Sequence, residues 1–380
     1  MKRQNTTHQI RFIIIALATV LLVASGRPAY AAGTVAGTNV TTNATVDYQV
    51  GGMSQNQLNS AGSGAFVIDR RINMTVAESG GAYTTVIPAT TDQALTFTIT
   101  NSTNDMVDLN LLYSNDANGA TGPFGGTDTF DTPTVRFYQE NGATGGFQIA
   151  QDTLVTFLDE VAADGIKTLY VVSNIPSGLA DTAYSFGKLT ATAHVAGGVG
   201  ALGALYTQTA GADTAAGVET VFGDNAGPAT GDIARDGKHS DDDGYDVVTA
   251  TITVTKTRTI ISDPFNGTTA PKAIPGAVVE YCIQVSNTGS ATASTVTIED
   301  LIPIQSTYSA GSIVAGGTVT GGVCNPDGTA EDDDATGAND VLTPIENTGN
   351  YNSGTGKINT MVFSLPVGGT TASRFRVTLN

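Results

Sequence analysis

The feature that most constrains this chain is a series of short segments in which apolar and polar residues alternate. They read RINMTV, ALTFTITN, TVRFYQE, IKTLYVVSNIP and YSFGKLTATAHV, and each is bounded by Gly, Pro, Asn or Asp. Alternation with a period of two points successive side chains to opposite faces of a strand, and the bounding residues favour turns. The chain has 45 Gly and only 14% charged residues, a composition typical of many strands joined by tight turns. We therefore predict an all-β chain built from sandwiches.

The first residues have the pattern of an export signal. Three Lys or Arg residues accompany an apolar run from Phe12 to Ala24, and Ala29-Tyr30-Ala31 forms a small-x-small cleavage site. The run is shorter than the roughly 20 residues that span a bilayer, which favours a cleaved signal peptide over residues 1–31 rather than an uncleaved anchor. We expect an exported chain, extracellular or at the envelope surface, with no transmembrane anchor after cleavage.

The chain is strongly acidic, with 35 Asp and Glu against 17 Lys and Arg and a net charge of −18. Loss of residues 1–31 would remove four bases and no acid, which takes the net charge to −22. Such a surface repels phosphate groups, so nucleic acid is excluded as a partner and anionic lipid is disfavoured.

Two units are predicted, with a change of composition between their regular parts. Residues 32–255 are expected to form an N-terminal β-sandwich, which opens on AGTVAGTNVTTNATVDYQVGG as half-buried strands. Between residues 196 and 246 the alternation fades and Gly, Ala and Asp dominate, which predicts a long acidic loop or insertion. The stretch TLVTFLDEVAADG fits a short helix or a strand followed by a loop, and its alternation favours the strand. Residues 256–380 would form the C-terminal unit.

A faint internal repeat links the two units. Ile87-Pro88 is followed by an alternating strand and then Asn101, while Ile274-Pro275 is followed by another such strand and then Asn287. Pro is tolerated where a strand begins because no ladder donor is needed there, and Asn favours the turn that ends it. Chance similarity between two alternating strands is the alternative.

The stretch ISDPFNGTTAPKAIPGAVVEYCIQVSNTGSATASTVTIEDLIPIQSTYSAGSI resembles a bacterial surface repeat known as domain of unknown function eleven, an immunoglobulin-like β-sandwich found in large exported proteins. The matching positions are Pro275, Gly276, Asn287, Thr288, Gly289, Val296, Ile298, Asp300, Pro303 and Tyr308. The resemblance covers about residues 257 to 380, and the opening of the chain more loosely, while the middle departs from it. The strand rhythm and VVSNIPSG of the middle suggest another immunoglobulin-like unit, so we expect two immunoglobulin-like β-sandwich domains in all. It implies an immunoglobulin-like C-terminal repeat domain and a spacer, surface-layer or adhesive role, and it carries over no catalytic residue.

Cys282 and Cys324 are the chain's two cysteines, an even number in a chain expected to be exported. A single disulfide is the expected arrangement, with free buried thiols as the alternative. In a sandwich, Tyr281, Ile283 and Val285 would share one face of their strand and Cys282 the other, so Cys282 would reach a neighbouring segment. We expect that segment to be the loop that carries Cys324.

Few residues suggest a catalytic, cofactor-binding or metal-binding site. After signal cleavage the histidines are His194 and His239, which we expect on the surface or in loops, and Gly198 to Gly203 match a dinucleotide fingerprint outside any βαβ context. Acidic runs are the stronger candidates because calcium takes six to eight oxygen ligands from flexible loops. The residues favoured for such a site are Asp236, Asp241, Asp243 and Asp246, with a second acidic run between Asp327 and Asp340. A solvated acidic loop without metal is the alternative for each.

These patterns favour an exported, non-enzymatic structural or adhesive protein of the cell surface. We expect no cofactor other than, at most, calcium. The expected partner is a cell-envelope component, a polysaccharide, another surface protein or a second copy of the chain. A calcium-responsive extracellular binding module is the alternative, and a secreted hydrolase is a further one that no motif supports.

Overall fold

The computed structural model describes residues 33–60, 64–331 and 348–380. These residues form strands joined by turns and irregular segments. None of them belongs to a helix that is long and apolar enough to cross a membrane. Two β-sandwiches follow a thin N-terminal ribbon, which confirms the predicted all-β class and two-sandwich architecture. The predicted signal peptide and most of the second acidic run lie outside the described residues.

The N-terminal ribbon consists of two antiparallel segments. Its strands are β1 (Asn39–Val40), β2 (Thr45–Val46), β3 (Gln49–Val50), β4 (Met53–Ser54), β5 (Leu58–Asn59) and β6 (Phe66–Val67). β1 pairs with β6, β2 with β5 and β3 with β4. Gly51 and Gly52, with φ of 58° and 83°, form the two-residue turn at the tip, as a type I′ hairpin requires. The predicted half-burial of this stretch is wrong: its side chains are mostly exposed, because the ribbon has no second layer in the described part of the chain.

The N-terminal sandwich contains two sheets. Its strands are β7 (Arg70–Ile72), β8 (Met74–Glu78), β9 (Thr84–Val86), β10 (Gln93–Asn101), β11 (Val107–Asn115), β12 (Val135–Gln139), β13 (Thr153–Val155), β14 (Phe157–Val161), β15 (Ile166–Ser173), β16 (Tyr184–Ala196), β17 (Leu202–Leu205), β18 (Thr220–Phe222) and β19 (Lys238–Val247). One sheet has the order β13-β12-β15-β10-β8 and the other β14-β11-β16-β19-β9, with β17 also on β16. β18 pairs separately with β7.

The core of this sandwich lies between the two sheets. Leu95, Phe97 and Ile99 alternate along β10 and are fully buried, and they meet Leu109 of β11 and Leu189 of β16 from the opposite sheet. Burial of a Leu or Phe side chain contributes roughly 1.5–3 kcal/mol, so this interdigitated layer is a main source of stability. The strand preference for TLVTFLDEVAADG is confirmed, since β13 and β14 occupy it.

The predicted long acidic loop over residues 196–246 is wrong for its C-terminal part. Lys238–Val247 forms β19, which lies inside the second sheet between β16 and β9. Three consecutive aspartates obscure the alternation of apolar and polar residues that marks a strand. His239, Asp243, Tyr245 and Val247 are nevertheless all buried on one face of β19. Pairing on both edges and burial of Tyr245 outweigh the low strand propensity of Asp and Gly.

The C-terminal sandwich pairs a large sheet with a small one. Its strands are β20 (Ile252–Ser262), β21 (Val278–Asn287), β22 (Ala293–Leu301), β23 (Ser306–Tyr308), β24 (Val314–Gly317), β25 (Val319–Thr320), β26 (Val323–Cys324), β27 (Thr329–Ala330), β28 (Thr348–Asn352), β29 (Lys357–Leu365) and β30 (Thr370–Leu379). The large sheet has the order β20-β21-β30-β24-β27, with β23 also on β30, and the small sheet β22-β29-β28. β25 and β26 form a short hairpin.

The faces of β21 confirm the predicted arrangement around Cys282. Ile283 and Val285 are buried in the core between the sheets, and Tyr281 packs against that core. Cys282 points to the outer face and is bonded to Cys324 of β26, with 5.5 Å between the Cα atoms. The disulfide therefore attaches the β25–β26 hairpin to the outside of the large sheet.

Both sandwiches use the same turn where the sequence repeat begins. In Ile87–Thr90 the amide of Thr90 donates to Ile87 O at 3.3 Å, and in Ile274–Ala277 the amide of Ala277 donates to Ile274 O at 2.9 Å. The third residue of each turn, Ala89 or Gly276, has a positive φ of 64° or 83°. Pro at the second position with a left-handed residue at the third defines a type II turn.

Both sandwiches also use the same buried asparagine. Asn101 ends β10, and its Nδ2 donates to the carbonyls of Asp105, Val161 and Ala162 at 2.9–3.0 Å. Asn287 ends β21, and its Nδ2 donates to the carbonyls of Ala291, Leu365 and Pro366 at 2.7–3.4 Å. The sequence repeat is thus a structural repeat. The pairing agrees with it: β10 lies between β8 and β15 and β11 pairs with β14, just as β21 lies between β20 and β30 and β22 pairs with β29. By chain order and pairing, β8, β10, β11, β14 and β15 are therefore equivalent to β20, β21, β22, β29 and β30.

The two sandwiches meet at a short junction. β19 ends at Val247 and β20 begins at Ile252. The predicted boundary at 255/256 falls within β20, and β20 pairs with β21 of the C-terminal sandwich. The carboxylate of Asp181 crosses the junction: it accepts hydrogen bonds from the amide of Thr249 at 2.7 Å, the amide of Ser290 at 3.1 Å and the Ser290 hydroxyl. The Ser290 hydroxyl and these amides hold the pKa of Asp181 below its usual value.

Candidate functional site

The four predicted calcium ligands lie on or just before β19, and the strand separates them. Asp241 and Asp243 are two positions apart and share a face, while Asp246 lies three positions after Asp243 and therefore points to the opposite face. Asp236 precedes the strand, where its carboxylate accepts the amide of Lys238 at 3.0 Å. A flexible loop could have converged these side chains on one ion, but a paired strand does not.

The carboxylates on this face of β19 already have protein donors. Asp241 Oδ2 accepts the amide of Glu78 at 2.7 Å, and Asp243 Oδ1 accepts the amide of Gly244 at 2.7 Å. Burial raises the pKa of Asp243 to about 8, and the negative charges of Glu78 and Asp241 act in the same direction. A carboxyl group that keeps its proton at neutral pH is a poor calcium ligand, since the ligand oxygen must be deprotonated.

The two histidines of the described residues, His194 and His239, have structural positions. His239 is buried in β19, where its Nδ1 accepts the amide of Val76 at 3.0 Å, so the expectation of a surface or loop position is wrong for this residue. His194 lies on β16, and its Nδ1 is 2.8 Å from Gly203 O. His239 thus accepts a hydrogen bond from a backbone amide on the outer edge of β8, an amide for which strand pairing provides no acceptor.

The glycine-rich stretch that matches the dinucleotide fingerprint forms the turn between β16 and β17. Asp108 Oδ2 accepts the amides of Gly197 and Gly203 at 2.9 and 3.0 Å, and Asp159 Oδ2 accepts the amide of Gly200 at 2.8 Å. The fingerprint works when such amides open a helix and face a pyrophosphate. Here the stretch joins two strands, and two carboxylates of the same chain occupy its amides.

Another acidic group, which no single run of sequence reveals, is brought together by the fold. Asp69, Asp213 and Glu219 place one oxygen each within 4.8 Å of one another, the one such group among the described residues. Asp69 Oδ1 accepts the amide of Glu219 at 2.8 Å, and Glu219 Oε1 accepts the amide of Thr214 at 3.0 Å. Asp213 and Glu219 lie in the connection between β17 and β18, whereas Asp69 comes from a distant segment, so spacing along the chain gave no signal for the group of three.

A cleft of about 320 Å³ opens along one side of the C-terminal sandwich, between the edge strands β20 and β22. Its apolar lining consists of Ile252, Val254, Ile283, Val285, Val296 and Ile298. Lys256 and Asp300, which form an ion pair, also line it. Ile283 and Val285 belong to the core, so the cleft is a place where the core reaches the surface.

The N-terminal ribbon carries a second exposed apolar surface. Val46, Tyr48 and Val50 alternate along the arm of the ribbon formed by β2 and β3, and register places Leu58 opposite Val46 and Met53 opposite Val50. Directly paired residues of antiparallel strands point to the same side, so these five side chains share one face. The alternation is visible in the sequence, but it predicted a half-buried strand rather than an exposed one.

No family model matches the chain, and no curated protein matches it. Solved structures with some likeness include the collagen adhesin of Staphylococcus aureus (10% identity, 82% of this chain and 84% of that one, TM-score 0.23). Others are the CupB6 tip adhesin of Pseudomonas aeruginosa (12%, 81% and 90%, TM-score 0.25) and a putative membrane anchored protein of Corynebacterium diphtheriae (11%, 90% and 89%, TM-score 0.18). At these TM-scores the assignment of two β-sandwiches rests on the sheets of this chain alone.

Proposed function

We propose that the chain is an exported, non-enzymatic structural or adhesive protein that acts at the cell surface or beyond it. The observation that carries the proposal is the repeated sandwich, with the same type II turn and the same buried asparagine in both units. Repeated small domains joined in a row form extended structures in which each unit contacts its neighbours. Such a structure suits display or spacing, and the sequence resemblance to a bacterial surface repeat supports the same role.

The junction between the sandwiches fits this proposal. Only residues 248–251 separate β19 from β20, and Asp181 of the N-terminal sandwich accepts hydrogen bonds from Thr249 in this linker and from Ser290 in the C-terminal sandwich. A short linker with such contacts limits the relative motion of two domains, whereas a long Gly/Ser linker would leave them independent. The proposed mechanism is therefore the presentation of sandwich edges and loops on a stiff support, to an envelope component, a polysaccharide or another surface protein.

The test is fractionation of the native cells with an antibody against the C-terminal sandwich. We expect a chain that lacks residues 1–31 and that remains with the washed envelope. Recovery of the uncleaved chain from the cytoplasm would overturn the proposal. Free mature chain in the medium would move the role from the envelope to a soluble binder or matrix component.

The same cell fractions distinguish the alternative, a calcium-responsive binding module, from a structural or adhesive protein. Release of the chain from the envelope by a chelator, together with a calcium-dependent rise in melting temperature, would favour the alternative. A calorimetric titration with calcium that shows no heat of binding would rule this alternative out. Asp236→Asn and Asp241→Asn test the residues selected from the sequence, and Asp69→Asn tests the group that the fold assembles.

A further inference from the structure

The open side of the C-terminal sandwich corresponds to an occupied side of the N-terminal one. In the N-terminal sandwich β11 pairs with β14 on one edge and with β16 on the other, and β19 follows β16. β22 is the equivalent of β11 and pairs with β29, but among the described residues no strand pairs with its other edge. The cleft beside β22 therefore lies where the N-terminal sandwich has the antiparallel pair β16–β19.

That pair also covers the strand equivalent to β20. Side chains of β19 accept backbone amides of β8, from Val76 to His239 at 3.0 Å and from Glu78 to Asp241 at 2.7 Å. β20 has no such cover in the described structure, and Val254 on it is 62% exposed. By analogy with β16–β19, a two-stranded antiparallel ribbon with an apolar inner face would complete the open side of the C-terminal sandwich.

The N-terminal ribbon of this chain has that form. Among the described residues nothing covers its face of Val46, Tyr48, Val50, Met53 and Leu58, and these side chains are between 43% and 71% exposed. The reverse face carries polar residues, including Thr45, Asp47 and Gln49. A contiguous apolar face on an exposed ribbon marks an interaction site, since exposure of such a patch to water is unfavourable.

Electrostatics favours contact between copies through these two surfaces. The chain carries a net charge of −18, yet residues 33–67 include a single charged residue, Asp47. At the cleft the acids are paired: Asp300 with Lys256, and Glu299 with Lys357. Elsewhere like charge would repel a second copy, so the uncharged ribbon and the charge-balanced cleft are surfaces at which two copies can approach.

The ribbon and the cleft lie at opposite ends of the N-terminal sandwich. Asn104, which holds the base of the ribbon through Thr34 O, lies just before Val107, and Val107 pairs with Val195 near the end of β16. The other end of β16 begins at Tyr184, near the junction residue Asp181. A strand of 13 residues is about 40 Å long. The side chains of the ribbon's apolar face are exposed, so within the described structure this face does not lie against its own sandwich.

We propose that the N-terminal ribbon of one copy docks with its apolar face in the cleft between β20 and β22 of a second copy, in the place that β16–β19 takes in the N-terminal sandwich. The two surfaces are different and lie at opposite ends, so the contact is head-to-tail, and each added copy leaves one ribbon and one cleft free for the next unless a ring closes. This deepens the proposed structural role by naming a second copy as partner. The contact covers a patch of about 20 Å by 10 Å, which predicts weak, concentration-dependent association.

The test is sedimentation velocity of purified residues 32–380 over a wide concentration range. The wild-type chain is expected to form species larger than a dimer as its concentration rises. Val50→Asp on the ribbon and Val254→Asp in the cleft should each shift association to at least about tenfold higher concentration, because each places an unpaired charge against apolar side chains. Gln49→Asp and Thr255→Asp are the matched controls, with the same added charge on the neighbouring residue of the opposite face, and should associate as the wild type does.

Mixing the two deficient variants is the decisive step. Val50→Asp keeps an intact cleft and Val254→Asp keeps an intact ribbon, so the mixture should form a 1:1 complex and nothing longer. Circular dichroism melting confirms that each variant is folded; both sites are exposed, so folding is expected to survive. If Val254→Asp self-associates like the wild type while Val50→Asp does not, ribbons pair with ribbons and the proposal is wrong.

A wild-type chain that stays monomeric at every soluble concentration would also overturn the proposal. That result would leave the proposed surface role standing, because export and envelope retention are measured on native cells. Conversely, head-to-tail assembly of a chain that the cell retains in its cytoplasm would support the docking contact and contradict the surface role.

Discussion

Two buried asparagines hold the ends of the repeated strands. Each side-chain amide of Asn101 and Asn287 serves three carbonyls, and each Oδ1 accepts the amide two residues later, from Thr103 at 2.9 Å or Gly289 at 3.1 Å. Both side chains are completely buried, so water cannot replace these partners. One residue thereby joins the end of its strand to the turn between two others.

Replacement of Asn287 by Ala is expected to lower the free energy of unfolding of the C-terminal sandwich by about 2–4 kcal/mol, because buried carbonyls lose their donor. Asn101→Ala should have the same effect on the N-terminal sandwich. Urea unfolding followed by circular dichroism measures both. Asn43→Ala, at an exposed ribbon position, is the control and should change stability by less than about 0.5 kcal/mol. Equal losses in all three variants would contradict this role.

The third residue of the repeated turn differs between the units. Ala89 has a φ of 64°, a region where a Cβ atom is strained, while the equivalent residue is Gly276. Ala89→Gly should therefore raise the free energy of unfolding by about 0.5–1 kcal/mol. Gly276→Ala should destabilise, since its Cβ would also meet Pro264 Cγ at 2.8 Å. Thermal melting checks both signs, and a loss of stability in Ala89→Gly would refute the strain argument.

At the scale of the strand, β19 places a carboxyl group in the core of the N-terminal sandwich. Burial raises the pKa of Asp243 to about 8, against a usual value of 3.8, so the folded state binds its proton more tightly than the unfolded state. Stability conferred on the folded state by this proton is complete below pH 4 and is lost progressively as the pH rises towards 8.

Asp243→Asn is expected to remove this loss. Relative to the wild type, the variant should gain stability from about pH 4 up to about pH 8 and no further above it. Asp242→Asn is the matched control on the other face of β19. Burial raises the pKa of Asp242 only to about 6, so the gain in stability of Asp242→Asn should be complete near pH 6 and not near pH 8. Urea unfolding at a series of pH values measures both. Parallel pH profiles for Asp243→Asn and the wild type would contradict the assignment.

At the scale of the whole molecule, one carboxylate connects the two sandwiches. Asp181→Ala removes the acceptor for Thr249 and Ser290 and should widen the range of angles between the units, with little change in the melting of either one. Small-angle X-ray scattering should show a broader distance distribution for the variant. Ser290→Ala is the milder control, because both backbone donors remain. An unchanged distribution in Asp181→Ala would show that the junction is stiff for another reason.

Local pattern was enough to predict much of this fold. Alternation in segments such as ALTFTITN predicted the strands, because a period of two allows one apolar face to be buried. The Ile-Pro to Asn repeat predicted related units, and the evenness of the cysteines predicted the bond between Cys282 and Cys324. In each case the physical cause acts within a few residues or follows from the chemistry of one residue type.

The predictions that failed depended on long-range pairing. KHSDDDGYDV has the composition of a loop, and only its pairing with β16 and β9 makes it a central strand and separates Asp241 from Asp246. The ribbon has the alternation of a half-buried strand, yet nothing in the described structure packs against its apolar face. Periodicity states which side of a strand is apolar, and only the tertiary structure decides what, if anything, covers it.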